Sequence, residues 1–205
     1  MHPNSTMLFQ KYALPIFKDG MRVLEIAPDG SPSTYQKIIG KDTITWETLQ
    51  LDSAADTNSI TYIVDDEYSY SIPDNTFDVV FCDQVAEHVK KIWLWMSELS
   101  RICKVGGYVI IINPVSWNYH EAPVDCWRIY PEGMKALYEQ AGLTTLISKC
   151  ESLHLDQSLK DYPYLIPGLS YQTKSSPIKS FIKRMLKIPI IYTLDTVTIG
   201  TKQQN

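Results

Sequence analysis

The sequence predicts an α/β domain built on a mostly parallel sheet with helices on both faces, and three observations carry that prediction. Short apolar runs of strand character alternate with segments of helical periodicity, the pattern of repeated βαβ units. The run Tyr108 to Asn113 contains Val-Ile-Ile-Ile, apolar on both faces, which suits a central strand. Near the N-terminus, Arg22-Val23-Leu24-Glu25-Ile26-Ala27-Pro28-Asp29-Gly30-Ser31-Pro32 reads as a strand, a tight turn and a helix start. A chain of 205 residues is long enough for one sizeable core, so residues 1–205 are expected to form a single domain.

The elements follow in order. Residues 5–19 are half-apolar and helical, within a lead-in of residues 1–20. Val23 to Ala27 is the first buried strand and residues 32–39 its crossover helix, with Ser31 as N-cap, Pro32 in the first helical position and a stop near Gly40. Thr43 to Leu51 is a second strand ending in Asp52, and Ile60 to Val64 a third, followed by Asp65-Asp66-Glu67. Phe77 to Cys82 is a fourth, introduced by the turn residues Pro73-Asp74-Asn75. Residues 90–103 place Ile92, Met96, Leu99 and Cys103 at helical spacing, with Gly106-Gly107 ending the element. Pro131 to Ala141 is a helix stopped by Gly142, residues 143–154 form a strand, and Asp195 to Lys202 closes the sheet. Residues 156–177 read as a long loop rich in Pro, Ser, Tyr and Gly, and residues 178–187 as a short basic amphipathic segment. The core is thus assigned to residues 21–143, with 114–130 and 156–194 as insertions on the substrate side.

Composition excludes several classes. A formal net charge of −4 argues against a general nucleic-acid binder, which needs a basic surface. Cys82, Cys103, Cys126 and Cys150 include no Cys-x-x-Cys pair, so neither a disulfide framework nor a zinc site is expected. There is no cleavable signal pattern and no apolar run of membrane-spanning length. A soluble, cytoplasmic protein is the expectation. Lys179, Lys183, Arg184 and Lys187 suit either a solvated helix face or peripheral contact with an anionic membrane surface. The tail 156–194 carries more apolar and aromatic residues than a free loop needs, so either a monomer or a homodimer is compatible with it.

The opening turn is a poor phosphate cradle. One glycine stands where a dinucleotide fingerprint has three, and Asp29 lies near the helix N-terminus that a phosphate would need. A ligand with an adenosine, no phosphate and a cationic amino group fits better, and S-adenosyl-L-methionine is such a ligand.

Four features over residues 21–143 then combine. They are Val23-Leu24-Glu25-Ile26-Ala27-Pro28; the acidic end of the second strand at Asp52; Ile72-Pro73-Asp74-Asn75-Thr76-Phe77-Asp78-Val79-Val80 leading to Glu87-His88-Val89; and Lys104-Val105-Gly106-Gly107-Tyr108. On these the chain resembles the class I S-adenosylmethionine-dependent methyltransferases, in the group related to the type 11 domains. It departs from their pattern where Ala27, Asp29 and Ser31 stand in place of glycines. The stretch His120 to Gly133 is similar to the segment after the fifth strand in methyltransferases of glycan and polysaccharide synthesis. The resemblance implies a Rossmann-like fold whose seven-stranded sheet is parallel except for its last strand. It also implies that Glu25, Ala27, Pro28, Asp29 and Gly30 serve the methionine moiety. Asp52 would hold the ribose, Asp65 or Asp66 the adenine amino group, and Gln84 and Val85 would line the pocket beside the sulfonium.

Each position has a plainer reading: Glu25 a surface acid, Asp52 a helix cap, the acids 65–67 a solvated run. Methylating a hydroxyl needs collinear positioning and removal of a proton, and histidine is the commonest base. His120 and His88 are the candidates, each alternatively an ordinary loop or packing histidine; His2 and His154 lie away from the expected methyl position. Trp117, Tyr119, Trp127 and Tyr130 suit a substrate wall or core filling, and Asp125 is placed with Trp117, Tyr119, Trp127 and Arg128 among the expected substrate-binding residues. Arg128 suits an acidic substrate group or pairing with Glu121 or Asp125. His120, Glu121 and Asp125 are too thin a set for a metal, so none is expected. The function expected is O-methylation of a hydroxyl on a sugar, glycan or related metabolite. The alternatives are an inactive methyltransferase-like binding or scaffold protein, or a nucleotide-sugar or NAD enzyme. The second is opposed by Asp29, the missing glycines and the lack of a Tyr-x-x-x-Lys pair.

Overall fold

The computed structural model describes residues 3–51, 59–121, 124–153 and 193–204. The strands are β1 (Arg22–Ile26), β2 (Thr45–Leu51), β3 (Tyr62–Val64), β4 (Phe77–Asp83), β5 (Cys103–Pro114), β6 (Leu143–Glu151) and β7 (Asp195–Lys202). They form one seven-stranded sheet in the order β3-β2-β1-β4-β5-β7-β6. The pairs from β3 to β5 are parallel, and β7 runs antiparallel to both β5 and β6. The order reverses between β1 and β4, and a crevice opens at such a switch point outside the carboxyl ends of the strands.

Burial on both faces explains the continuous apolar runs. Val109, Ile110, Ile111 and Ile112 of β5 are all 0 % exposed, alternating between two cores. One core packs Leu24, Val80 and Ile111 against α3 (Ile92–Ile102) and α4 (Pro131–Gln140), where Trp95, Met96, Leu99 and Tyr138 are buried. The other packs Val23, Val79, Phe81 and Ile110 under the N-terminal segment and α2 (Thr34–Ile39). The N-terminal segment starts as α1 (Pro3–Leu8), continues as a π turn over Phe9–Ala13 and ends as a 3-10 turn over Leu14–Ile16.

Several boundaries differ from the expectation. The lead-in is helical over residues 3–16, not 5–19. Ser33, not Ser31, caps α2: its hydroxyl accepts from Gln36 N at 3.1 Å, while Ser31–Pro32 is a cis peptide before the helix. Gly40, at φ +58°, ends α2 as expected. Gly106-Gly107 does not stop α3, which ends at Ile102, but lies inside β5. A side chain at Gly107 would come 2.9 Å from the carbonyls of Asp78 and Lys104, so close strand approach requires glycine there. Among the described residues no helix is long and apolar enough to cross a membrane. His2, Asp52, His154, the loop 156–177 and the basic segment 178–187 lie outside the described residues.

Candidate active site

At the crevice, β1 and β4 each end in a residue of left-handed conformation, Ala27 (φ 52°) and Gln84 (φ 56°). Their amides still extend the ladders, Ala27 N donating to Leu49 O (2.8 Å) and Gln84 N to Ile112 O (2.9 Å), before the chain turns away. Between these ends lies a cleft of about 180 Å³, lined by Glu25, Ile26, Ala27, Asp29, Tyr35, Asp83 and Gln84.

The cleft is acidic. Glu25 is a buried side chain, not a surface acid; its Oε2 accepts from Trp46 Nε1 at 2.9 Å. Burial pushes its pKa up to about 7, with Asp29 and Asp83 adding to the rise. Asp83 Oδ2 accepts from Tyr35 Oη (2.6 Å) and Ser5 Oγ (3.1 Å), while its buried Oδ1 accepts no hydrogen bond. Burial raises Asp83 to about 7 as well. Gln84 Nε2 donates to Asp195 Oδ1 (3.2 Å), which fixes the amide at the rim. Buried acids with few donors are costly until a cation meets them. An ammonium group therefore fits this donor set, and a phosphate does not.

The expected cofactor residues are distributed unevenly. Glu25, Ala27, Asp29 and Gln84 line the cleft, whereas Pro28 and Gly30 do not. Asp29 is also engaged: Thr34 N (2.8 Å) and Thr34 Oγ1 (2.7 Å) donate to its two oxygens at the start of α2. Val85 packs against the α3–α4 core rather than lining the cleft. Asp65 and Asp66 stand exposed just beyond β3, and Asp66 Oδ1 accepts from Tyr68 N at 2.8 Å. Asp83, Tyr35 and Ser5 were not singled out from the sequence. The signal was available for Asp83, which ends an apolar strand as an acid near the turn, much as Glu25 does.

A second cleft, of about 310 Å³, lies in the segment after β5 and is lined by Trp117, Tyr119, Asp125, Cys126, Trp127 and Arg128. It gathers the residues expected to bind substrate, while Tyr130 is 60 % exposed and does not line it. Three hydrogen bonds moor the segment to the ends of β4 and β5. Cys126 N donates to Glu87 O (2.7 Å), Trp127 Nε1 to Val89 O (2.7 Å) and Asn113 Nδ2 to Ile129 O (2.9 Å). Arg128 grips Asp125 with both nitrogens (2.5 and 2.7 Å), holding that carboxyl's pKa at about 2. Glu121 accepts instead from Tyr119 Oη at 2.7 Å. Glu121 is thereby drawn away from the set, whereas His120 stays with Asp125: its backbone N donates to Asp125 Oδ2 at 2.9 Å and its Nδ1 lies 3.4 Å from the same oxygen. His120 and His88 do come together, ring centroids 5.1 Å apart and edge-to-face. Behind them Glu87, in the 3-10 turn Ala86–His88, is raised to about 8 by burial.

Residues 34–111 match the protein family described as "Methyltransferase domain". No curated protein matches the sequence. Among solved structures the chain is similar to a SAM-dependent methyltransferase from Archaeoglobus fulgidus (TM-score 0.62, 20 % identity, covering 97 % of this chain and 93 % of that one). It is similar to phosphoethanolamine N-methyltransferase 2 of Haemonchus contortus, solved with S-adenosyl-L-methionine (0.55, 15 %, 98 % and 52 %). It is similar also to the [4+2]-cyclase SpnF (0.59, 15 %, 98 % and 81 %). The fold is the Rossmann-like one of the class I methyltransferases. Domain match and fold together support a methyltransferase enzyme with S-adenosyl-L-methionine as its cofactor.

Proposed function

We propose that the chain methylates a hydroxyl group, on a sugar, a glycan or a related small metabolite. The observation that carries this is the placement of an aromatic cleft directly on the turn that leaves the acidic cleft and carries His88. Cys126 N bonds to Glu87 O, only three residues after Gln84. S-adenosyl-L-methionine, when bound, supplies a methyl group on a cationic sulfonium. Glu25 and Asp83 would hold its ammonium group, with Gln84 at the cleft rim.

The remaining work falls to this chain's side chains. Little charge builds up in the transfer, so the main contribution is alignment at about 3–3.5 Å between reacting atoms. Trp117, Tyr119 and Trp127 offer flat faces for a sugar ring. Arg128, locked to Asp125, would position its hydroxyls through the shared charge pair. His120 and His88 are the groups that would handle the acceptor proton.

The test is calorimetric titration with S-adenosyl-L-methionine and S-adenosyl-L-homocysteine, followed by transfer of labelled methyl to saccharides and to amines. Binding with label on saccharide hydroxyls is expected. Label on amines alone would refute the acceptor class. No binding by folded protein would favour the scaffold alternative.

A further inference from the structure

The turn Ala86–His88 and the loop carrying His120 bring together three ligand-type side chains. One ligand atom from each of Glu87, His88 and His120 lies within 4.8 Å of the others. Glu87 is 1 % exposed, yet neither of its carboxylate oxygens accepts a hydrogen bond. Its Oε1 is aimed into the group, 3.8 Å from His88 Nε2. A buried carboxylate left without donors carries its full desolvation cost unless a cation meets it.

Both imidazoles are held by their other nitrogen. A carbonyl can only accept, so the 2.5 Å contact of His88 Nδ1 with Val124 O places the proton on Nδ1 and leaves the Nε2 lone pair. His120 Nδ1 likewise faces Asn118 O (3.1 Å) and Asp125 Oδ2 (3.4 Å), leaving its Nε2 as the basic nitrogen. Metal-ligating histidines are oriented this way, one N–H on a carbonyl or carboxylate and the other nitrogen on the ion.

We propose that Glu87, His88 and His120 form a site for a divalent metal ion of the zinc type, contrary to the expectation of no metal. Two imidazoles and one carboxylate suit such ions, and three protein ligands leave a position open, as in catalytic sites. Bonds of about 2.0–2.2 Å put ligand atoms roughly 3.3 Å apart. The present spacing therefore contracts on binding, and His120, outside any helix or strand, can supply that movement. Side-chain exposures of 19 % for His88 and 37 % for His120 give the ion a path in from solvent.

Occupancy needs nothing from the methyl-transfer reading, but the use of the ion rests on it. With the ion bound, both imidazoles are engaged as ligands, and the cation replaces them in activating the acceptor. It lowers the pKa of the hydroxyl, whose proton passes to solvent water. The oxygen then bonds to the methyl carbon as the carbon–sulfur bond breaks, its electron pair going to sulfur.

The test uses full-length protein stripped of metal with a chelator. It is titrated with zinc chloride by calorimetry, and with cobalt chloride while visible absorption is followed. One ion per chain is expected, with the cobalt absorption of a low-coordinate site. His120→Ala and Glu87→Gln should each weaken zinc binding at least about tenfold. Cys126→Ser, which removes the nearby exposed thiol, should leave it unchanged. His120 is at the surface, so its variant keeps the test decisive if Glu87→Gln does not fold. Undiminished binding in His120→Ala, loss in Cys126→Ser, or no binding by folded wild type at millimolar zinc would overturn the site. A parallel titration with S-adenosyl-L-homocysteine separates the two readings. Zinc binding without nucleoside binding keeps the metal site and removes its role in methyl transfer.

Discussion

Replacing Glu25 by glutamine exchanges a buried acid for a neutral side chain of the same shape, and the consequence can be worked from its surroundings. Glu25 is 3 % exposed, and burial raises its pKa from 4.5 to about 7. Between those values the native state binds more protons than the unfolded chain, so stability falls as pH rises through the window. At about 1.36 kcal/mol per unit, the penalty above pH 7 is about 3 kcal/mol. Glu25→Gln has no such term, and its amide oxygen can still accept from Trp46 Nε1. Urea unfolding of both proteins at pH 5 and pH 8 is the assay. The two should be nearly equally stable at pH 5, and the variant more stable at pH 8 by about 1–3 kcal/mol. The same substitution should weaken S-adenosyl-L-homocysteine binding about tenfold to a hundredfold. One partly solvated ion pair near 4 Å is worth up to about 4 kcal/mol, and some of it remains with Asp83. A stability difference that does not change with pH, or an unchanged affinity, would refute the reasoning.

The other predictions concern packing and the second cleft. Tyr35→Phe removes the 2.6 Å donor to Asp83 and should cost about 1–2 kcal/mol at pH 8. The loss should be smaller at pH 5, where Asp83, with its pKa near 7, is neutral; urea unfolding at the two pH values checks this. Ser33→Ala deletes the α2 cap and should lower stability by about 1 kcal/mol in the same assay. Gly200→Ala would place a methyl 2.4 Å from the buried Tyr138 ring, and a loss of about 1–3 kcal/mol is expected by thermal or urea unfolding. Arg128→Ala frees Asp125, whose pKa should climb from about 2 toward its ordinary value by NMR titration. Steady-state kinetics of that variant should show a raised KM for the acceptor with unchanged S-adenosyl-L-homocysteine affinity.

Much of the fold is legible because local rules dictate it. The apolar runs ending at Ile26 and at Cys82, the helix ended by Gly40, and the closing strand Asp195–Lys202 follow from periodicity and turn residues alone. Where two local signals compete, the reading slips. Ser31-Pro32 reads as the helix start, and only the hydrogen bond from Gln36 N shows that Ser33 is the cap. Gly106-Gly107 looks like a helix stop, but the need is for close backbone contact across β4 and β5.

The sequence by itself determined the sheet and the acid at the end of β1. Those depend on neighbours in the chain or on a pattern repeated along it. Only the tertiary structure decided the electrostatics. Asp83, Tyr35 and Ser5 converge from three distant segments, and Glu25 is an internal acid whose carboxylate accepts from Trp46 of β2. His88 reaches His120 because Cys126 and Trp127 hydrogen-bond back to the turn after β4. Burial and through-space charge set a pKa or a ligand set, and neither is a property of any local stretch of residues.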